Sequence, residues 1–158
     1  MTDITAALQE SIVHALSGYY SHMDVRKCID GVDARVAGAA PAGGPHSIHQ
    51  IVQHMIFWQG FFLERLSGNP VPEPDADRWP WPAEPESPEE WHRVTATFLA
   101  GLDRATQFAR GSDLMEPLAG AENTTRLEAL RIVASHNSYH VGQIVLLKLP
   151  FQSNNDPL

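Results

Sequence analysis

Apolar residues recur every three or four positions in four segments of the chain, which predicts four amphipathic helices. The predicted helices cover residues 2–19, 47–67, 88–111 and 125–149. No stretch shows the apolar–polar alternation of a strand, and no internal repeat is present. The pattern therefore predicts an all-α protein whose helices bury one face each.

Capping patterns mark the starts of three of these helices. Ser47 stands three residues before Gln50, and Thr125 stands three residues before Glu128. In such a capping box each side chain bonds the other residue's free backbone N–H. Ser87 precedes a proline at the first helical position and Glu90 at the third, which is a further helix start. The fourth helix ends where Pro150 stops it.

The connection between the second and third helices is long. Residues 69–88 contain seven prolines and cannot be helical throughout, because proline lacks an N–H donor and clashes with the preceding turn. A crossover of this length allows consecutive helices to run parallel, which favours a four-helix bundle of up-down-down-up topology over a simple meander. Its tryptophans, Trp79 and Trp81, are expected to pin it to the bundle rather than to bind a ligand.

The other connections carry weaker signals. Residues 24–30 read as a brief helix, and the Gly- and Pro-rich residues 37–45 read as a loop. The whole chain, 1–158, has a length typical of one domain with a full core.

Composition narrows the class of partner. The 11 basic and 19 acidic side chains give a formal net charge of −8, which disfavours nucleic acid and anionic membrane surfaces as partners. The single cysteine, Cys28, excludes an internal disulfide, and no secretory signal or membrane span is apparent. These features predict a cytoplasmic protein.

Two histidines, His136 and His140, lie four residues apart in the fourth helix. Four residues rise about 6 Å and leave only about 40° between the side chains, so one cation can contact both. Such a pair also arises readily by chance among 8 histidines in 158 residues. It is not the zinc-protease motif, because Asn137 stands where that motif has its glutamate.

A third candidate ligand is His54 in the second helix, although a histidine on that face can also be a hydrogen-bonded core residue. Sites of this kind are built in bundles from facing helices. His22 is a weaker candidate at the mouth of a pocket. The remaining histidines are expected to be surface residues, namely His14, His46, His49 and His92.

These residues carry a family resemblance. The segments S-I-H-Q-I-V-Q-H-M at 47–55 and S-H-N-S-Y-H-V-G-Q-I at 135–144, with the crossover between them, resemble the DinB/YfiT-like superfamily. The resemblance implies a four-helix bundle, often a homodimer, that binds one divalent metal ion through His54, His136 and His140. Zinc, nickel, iron or manganese is implied as the metal, and a low-molecular-weight thiol as a cofactor in some members.

Three neutral histidines leave a coordination position open, which is typical of a catalytic site. The sequence thus favours a metal-dependent hydrolase or thiol transferase acting on a small molecule. The alternative is a non-catalytic dimeric bundle with a structural or vestigial metal site, since no acid or base is identifiable beside the histidines. Asn137, Ser138, Tyr139 and Gln143 are unranked candidates to orient the ligands, and Gly142 suggests close approach of a helix or a substrate.

Overall fold

The computed structural model describes residues 3–39, 44–74, 79–111 and 113–151. Four long helices dominate it, which confirms the all-α class. In chain order the elements are α1 (Ile4–Ser17), a 3-10 helix (Val25–Ile29), α2 (Ala34–Gly38), α3 (Ile48–Leu66), α4 (Pro88–Gly111), β1 (Pro117–Leu118), β2 (Ala121–Thr125), α5 (Arg126–Lys148) and a final 3-10 turn (Leu149–Phe151).

The four predicted helices correspond to α1, α3, α4 and α5, and each agrees with its predicted ends to within about two residues. The capping box at Ser47 is present in both directions. Thr125 accepts a hydrogen bond from the Glu128 amide at 3.2 Å, and Ser87 accepts one from the Glu90 amide at 3.1 Å. The helix starts are therefore encoded locally, as the sequence predicts.

Two predictions for the connections were wrong in part. The sequence indicated no strand, yet Pro117–Leu118 and Ala121–Thr125 form a two-stranded antiparallel hairpin, β1–β2, turned at Gly120 with φ 72°. The segment 37–45 begins inside α2, whose N-cap is Asp33, while residues 40–43 of that predicted loop lie outside the described residues. The brief helix at 24–30 is confirmed as the 3-10 helix.

The long helices pack in a ring. Helix α3 contacts α4 and α5, and α1 contacts the same two helices. Two clusters of buried apolar residues fill the interior. The hairpin-side core comprises Ile12, Leu16, Leu63, Leu66, Ala105, Ala109, Leu114, Leu118, Ala129, Leu130, Val133 and Ala134. The histidine-side core comprises Val25, Cys28, Ile29, Val32, Val36, Ala37, Ile48, Ile51, Val52, Met55, Trp91, Val94, Phe98, Leu102, Val141 and Ile144.

The histidine-side core contains the only cysteine of the chain. Cys28 is fully buried, and this burial raises the pKa of its thiol to about 12. It is therefore a packing residue in the thiol form at neutral pH. Within the described residues, none of the helices has the length and apolar character needed to cross a membrane.

Candidate metal centre

The structure brings His54, His136 and His140 together. His54 lies on the buried side of α3, and the two others lie one turn apart on the facing side of α5. His54 and His140 are 6% and 3% exposed, whereas His136 is half-buried. The contact between α3 and α5 thus adds His54 to the pair that the i, i+4 spacing on α5 predicts.

The ring nitrogens of this cluster converge. His136 Nε2 lies 3.1 Å from His54 Nε2 and 3.1 Å from His140 Nε2, and all three ligand atoms fall within 4.8 Å of one another. Nitrogens bound to zinc at about 2.0–2.1 Å in a tetrahedral arrangement are about 3.3 Å apart. The donor set therefore fits a single small divalent cation with little movement.

The protonation of the cluster suits metal binding. Burial, with the nearby His140 and His54, lowers the pKa of His136 from 6.5 to about 3. Burial also lowers the pKa of His140, although its hydrogen bond to Gln143 acts in the opposite direction. The two imidazoles are consequently neutral at pH 7, which is the form that binds a metal.

Gln143 orients one ring of the cluster. Its Oε1 lies 2.6 Å from His140 Nδ1, so this nitrogen donates its hydrogen and leaves the Nε2 lone pair directed at the other histidines. The Gln143 amide in turn donates to the Tyr139 hydroxyl at 3.3 Å. Of the four unranked candidates, Gln143 is the one that orients a predicted ligand, and Tyr139 supports it.

An aromatic stack covers the cluster. The ring of Trp79 lies parallel to that of His54, with centroids 4.1 Å apart and planes 7° apart. His46 stacks on the other face of Trp79 at 3.7 Å and 8°. The expectation that Trp79 holds the crossover to the bundle agrees with this packing, which also places the indole directly against a predicted ligand.

Three side chains at the start of α3 hold the crossover in place by its main chain. Ser47 Oγ donates to the Ala83 carbonyl at 2.5 Å, and Gln50 Nε2 donates to the Trp81 carbonyl at 3.0 Å. His49 Nδ1 lies 3.0 Å from the carbonyl of the residue between them, Pro82. These three bonds, here called the carbonyl clamp, hold residues 81–83 beside the segment that carries Trp79.

The other histidines divide into structural and surface residues. The expectation that His49 is a surface residue was wrong, because it is fully buried and bonds the crossover. His46 is half-buried in the stack with Trp79 rather than exposed. His14 and His92 are surface residues, and His14 pairs with the neighbouring Glu10 carboxylate at 3.0 Å.

His22 is not part of the cluster. Its Nδ1 lies 2.6 Å from the Met23 carbonyl and its Nε2 lies 2.8 Å from Ser138 Oγ, on a different side of α5 from His136 and His140. Gly142 shares that exposed side, and a Cβ built there would meet no atom within 4 Å. Packing of another helix of this chain therefore does not explain this glycine.

Sequence reasoning missed the role of Asn137. The residue is 1% exposed, and neither atom of its carboxamide makes a hydrogen bond among the described residues. Its position beside His136 suggested that it supports a ligand, but the structure shows no such contact. Asn137 lies four residues from both Val133 and Val141 on the buried stripe of α5, so helical periodicity could have indicated its burial but not its lack of a partner.

The fold and the cluster together define an all-α protein with a three-histidine group that could hold a metal ion. The family model of the DinB superfamily matches residues 19–144, which is most of the chain. The protein therefore belongs to the DinB superfamily, as its sequence resemblance predicted. Comparison with curated proteins and with solved structures finds no match.

Proposed function

We propose that His54, His136 and His140 bind one divalent metal ion and that the protein is a metal-dependent enzyme acting on a small molecule. The observation that carries this proposal is the convergence of three histidine Nε2 atoms within 4.8 Å at a buried contact between two helices. Membership of the DinB superfamily supports it. Imidazole donors suit zinc, nickel and iron, and the family resemblance adds manganese.

The chain's own groups prepare such a site. Gln143 fixes the His140 tautomer, burial keeps His136 neutral, and Trp79 shields one face of His54 from water. Three neutral ligands leave the charge of a bound cation uncompensated by protein carboxylates. When bound, a divalent metal in such a set supplies Lewis-acid polarisation of a carbonyl, or activation of water or a thiol. Hydrolysis and transfer to a low-molecular-weight thiol are the proposed reactions.

The architecture is part of the proposal. The ring of contacts among α1, α4, α3 and α5, with the long crossover between α3 and α4, supports a four-helix bundle of up-down-down-up topology. We also propose a homodimer. Exposed apolar residues on α5 and in the 3-10 turn after it support this, because Tyr139, Leu146 and Leu149 are 66%, 67% and 44% exposed.

A non-catalytic bundle with a structural metal site is the second candidate. It is favoured by one observation: among the described residues, no carboxylate or thiolate belongs to the group of three histidines. Large stabilisation by metal without any thiol-transfer or hydrolytic activity would support this candidate.

Metal content tests the main proposal. The protein is purified without a histidine tag or added metal, and metal is measured for wild type, His54→Ala and His140→Ala. We expect about one metal ion per chain in wild type and none in either variant. His92→Ala is the matched control, because it removes an exposed histidine outside the cluster. A wild-type protein that carries no metal and cannot be loaded with zinc, nickel or manganese would overturn the proposal.

A further inference from the structure

A cavity of about 290 Å³ adjoins the histidine cluster between α3 and α5. Trp58 and Phe62 of α3 and Ile132 and Val133 of α5 supply apolar parts of its wall. His136 belongs to the same wall, so a molecule in the cavity would lie next to one of the proposed metal ligands. An engineered cavity of about 150 Å³ holds one benzene ring, and this one therefore has room for a ring with a substituent.

Two buried carboxamides also line this cavity, and they differ in their partners. Gln59 reaches α4, where its nitrogen can donate to the Phe98 carbonyl and its oxygen can accept from the Leu102 amide, both at 3.3 Å. Gly101 leaves the room for it, since a Cβ there would lie 1.8 Å from Gln59 Oε1. Asn137, by contrast, makes no hydrogen bond through its carboxamide, although both polar atoms of that group are buried.

An unpaired carboxamide is a costly residue for a purely structural position. Leaving a buried donor or acceptor without a partner costs about 1–3 kcal/mol, and leucine would fill a similar volume without that cost. Ligand sites, by contrast, are mostly apolar with a small number of polar groups that orient the ligand. The surroundings of Asn137 have this composition.

The charge around the cavity restricts its occupant. The Glu73 carboxylate is in the wall, and neither lysine nor arginine is among the described residues that line it. Without a bound metal ion, an anionic group would therefore be repelled by Glu73 and would find no lysine or arginine to pair with. The Asn137 carboxamide offers one acceptor and two donors, so the complementary group is uncharged and carries a donor and an acceptor side by side.

We propose that this cavity is the substrate subsite of the histidine site and that Asn137 determines its specificity. The substrate class is an uncharged molecule with an aromatic or branched apolar group and a carboxamide or lactam edge. The apolar group occupies the space between Trp58 and Val133, and the amide edge pairs with Asn137 near His136 once the buried carboxamide turns toward the cavity. This inference rests on the proposed function, because it assigns the substrate of the same site.

Simple ring compounds test the subsite in the metal-free and zinc-loaded protein. The probes are benzamide, which has an amide edge, toluene, which has no polar group, and benzoate, which is an anion. Affinities are measured by NMR titration of backbone amide signals, which every variant retains, and contact with Asn137 is followed through its side-chain amide signals. We expect benzamide to bind to both forms about tenfold more tightly than toluene and to shift those signals, and benzoate to bind most weakly to the metal-free form.

Two variants separate the polar contact from the apolar space. Asn137→Leu should weaken benzamide binding about tenfold and leave toluene binding unchanged. Ile132→Trp should remove binding of both compounds by filling the cavity, while zinc affinity stays the same. If a variant fails to fold, the order of the affinities of the three probes for the wild-type protein still tests the assignment. Equal binding of benzamide and toluene, or unmoved Asn137 signals, would overturn the assignment.

The two proposals fail in different ways in these measurements. Zinc binding without binding of any ring compound would eliminate the subsite and leave the metal site intact. Benzamide binding by a protein that takes up no metal would keep the subsite and eliminate the proposed metalloenzyme.

Discussion

The hairpin-side core and the histidine-side core share α3, α4 and α5, yet they differ in the polar residues buried near them. Both cores consist of apolar residues. The buried polar residues of the described chain lie elsewhere, within residues 47–59 and at Asn137 and His140. One end of each of α3 and α5 therefore supplies apolar packing, and the other end carries groups that are expensive to bury.

This division shows how a small protein can hold a polar site. Burial of apolar surface contributes about 25 cal/mol per Å², and unpaired buried polar groups cost about 1–3 kcal/mol each. Because the same helices pass through both regions, packing around Leu130 fixes the helix that presents His136 and His140. Stability and site geometry should then respond to different substitutions.

The largest effect should come from the hairpin-side core. Leu130→Ala removes a fully buried side chain and should lower the free energy of unfolding by about 2–5 kcal/mol. Zinc affinity of the folded protein should not change, because no cluster residue is touched. Urea denaturation and zinc titration measure the two quantities, and Ile4→Ala, at an exposed position, is the control. A loss of zinc affinity would show that the two regions are not separable.

Gln143→Ala should change zinc affinity and leave stability nearly unchanged, which is the opposite of Leu130→Ala. Loss of the acceptor for His140 Nδ1 should weaken zinc binding about 10- to 100-fold and change the unfolding free energy of the metal-free protein little. Competition with a chelator measures the affinity. Gln143→Glu keeps a hydrogen-bond acceptor and should retain most of the zinc affinity. Gln107→Ala, which alters an exposed glutamine far from the cluster, is the control. Unchanged zinc affinity in Gln143→Ala would exclude the orienting role.

Two helix caps offer a matched comparison with a smaller effect. Ser47→Ala and Thr125→Ala each remove an N-cap side chain and should each lower stability by about 1 kcal/mol. Only Ser47→Ala also breaks the carbonyl clamp, so only this variant should alter the fluorescence of Trp79, measured with the other three tryptophans replaced by phenylalanine. Equal spectra for the two variants would mean that the clamp does not position Trp79.

The last effect is absent at neutral pH and appears only as the pH falls. His136 has a folded-state pKa of about 3 against 6.5 when unperturbed, so below pH 6.5 the unfolded chain binds a proton that the folded chain does not. The stabilisation is complete above pH 6.5 and is lost as pH falls towards 3. In the metal-free protein, His136→Gln should flatten unfolding free energy against pH in this window, whereas Leu130→Ala should only shift the curve. Parallel curves for wild type and His136→Gln would contradict the assigned shift.

The parts of the fold that sequence predicted are those with local signals. Ser47, Ser87 and Thr125 cap their helices through bonds to residues three positions away, so the helix starts are visible in the sequence. Helix α2 has only five residues, which is too short for a periodic pattern. The hairpin was missed because Pro117 and Gly120 resemble loop residues, and its strands are too short to show alternation.

The candidate site shows the same limit. Helical spacing pairs His136 with His140, and the family resemblance adds His54. Nothing local indicates that Trp79, in a proline-rich connection, stacks between two histidines, or that His49 is buried. These contacts arise between segments distant in the chain, where hydrophobic periodicity carries no information.

The carbonyl clamp has an evolutionary consequence. Its three bonds end on main-chain oxygens of residues 81–83, and every amino acid supplies such an oxygen. The side chains at these positions can therefore change without loss of the anchoring. The sequence of a connection held in this way can diverge and change which molecules bind at the neighbouring histidine cluster. The helices that carry the histidines can meanwhile stay the same.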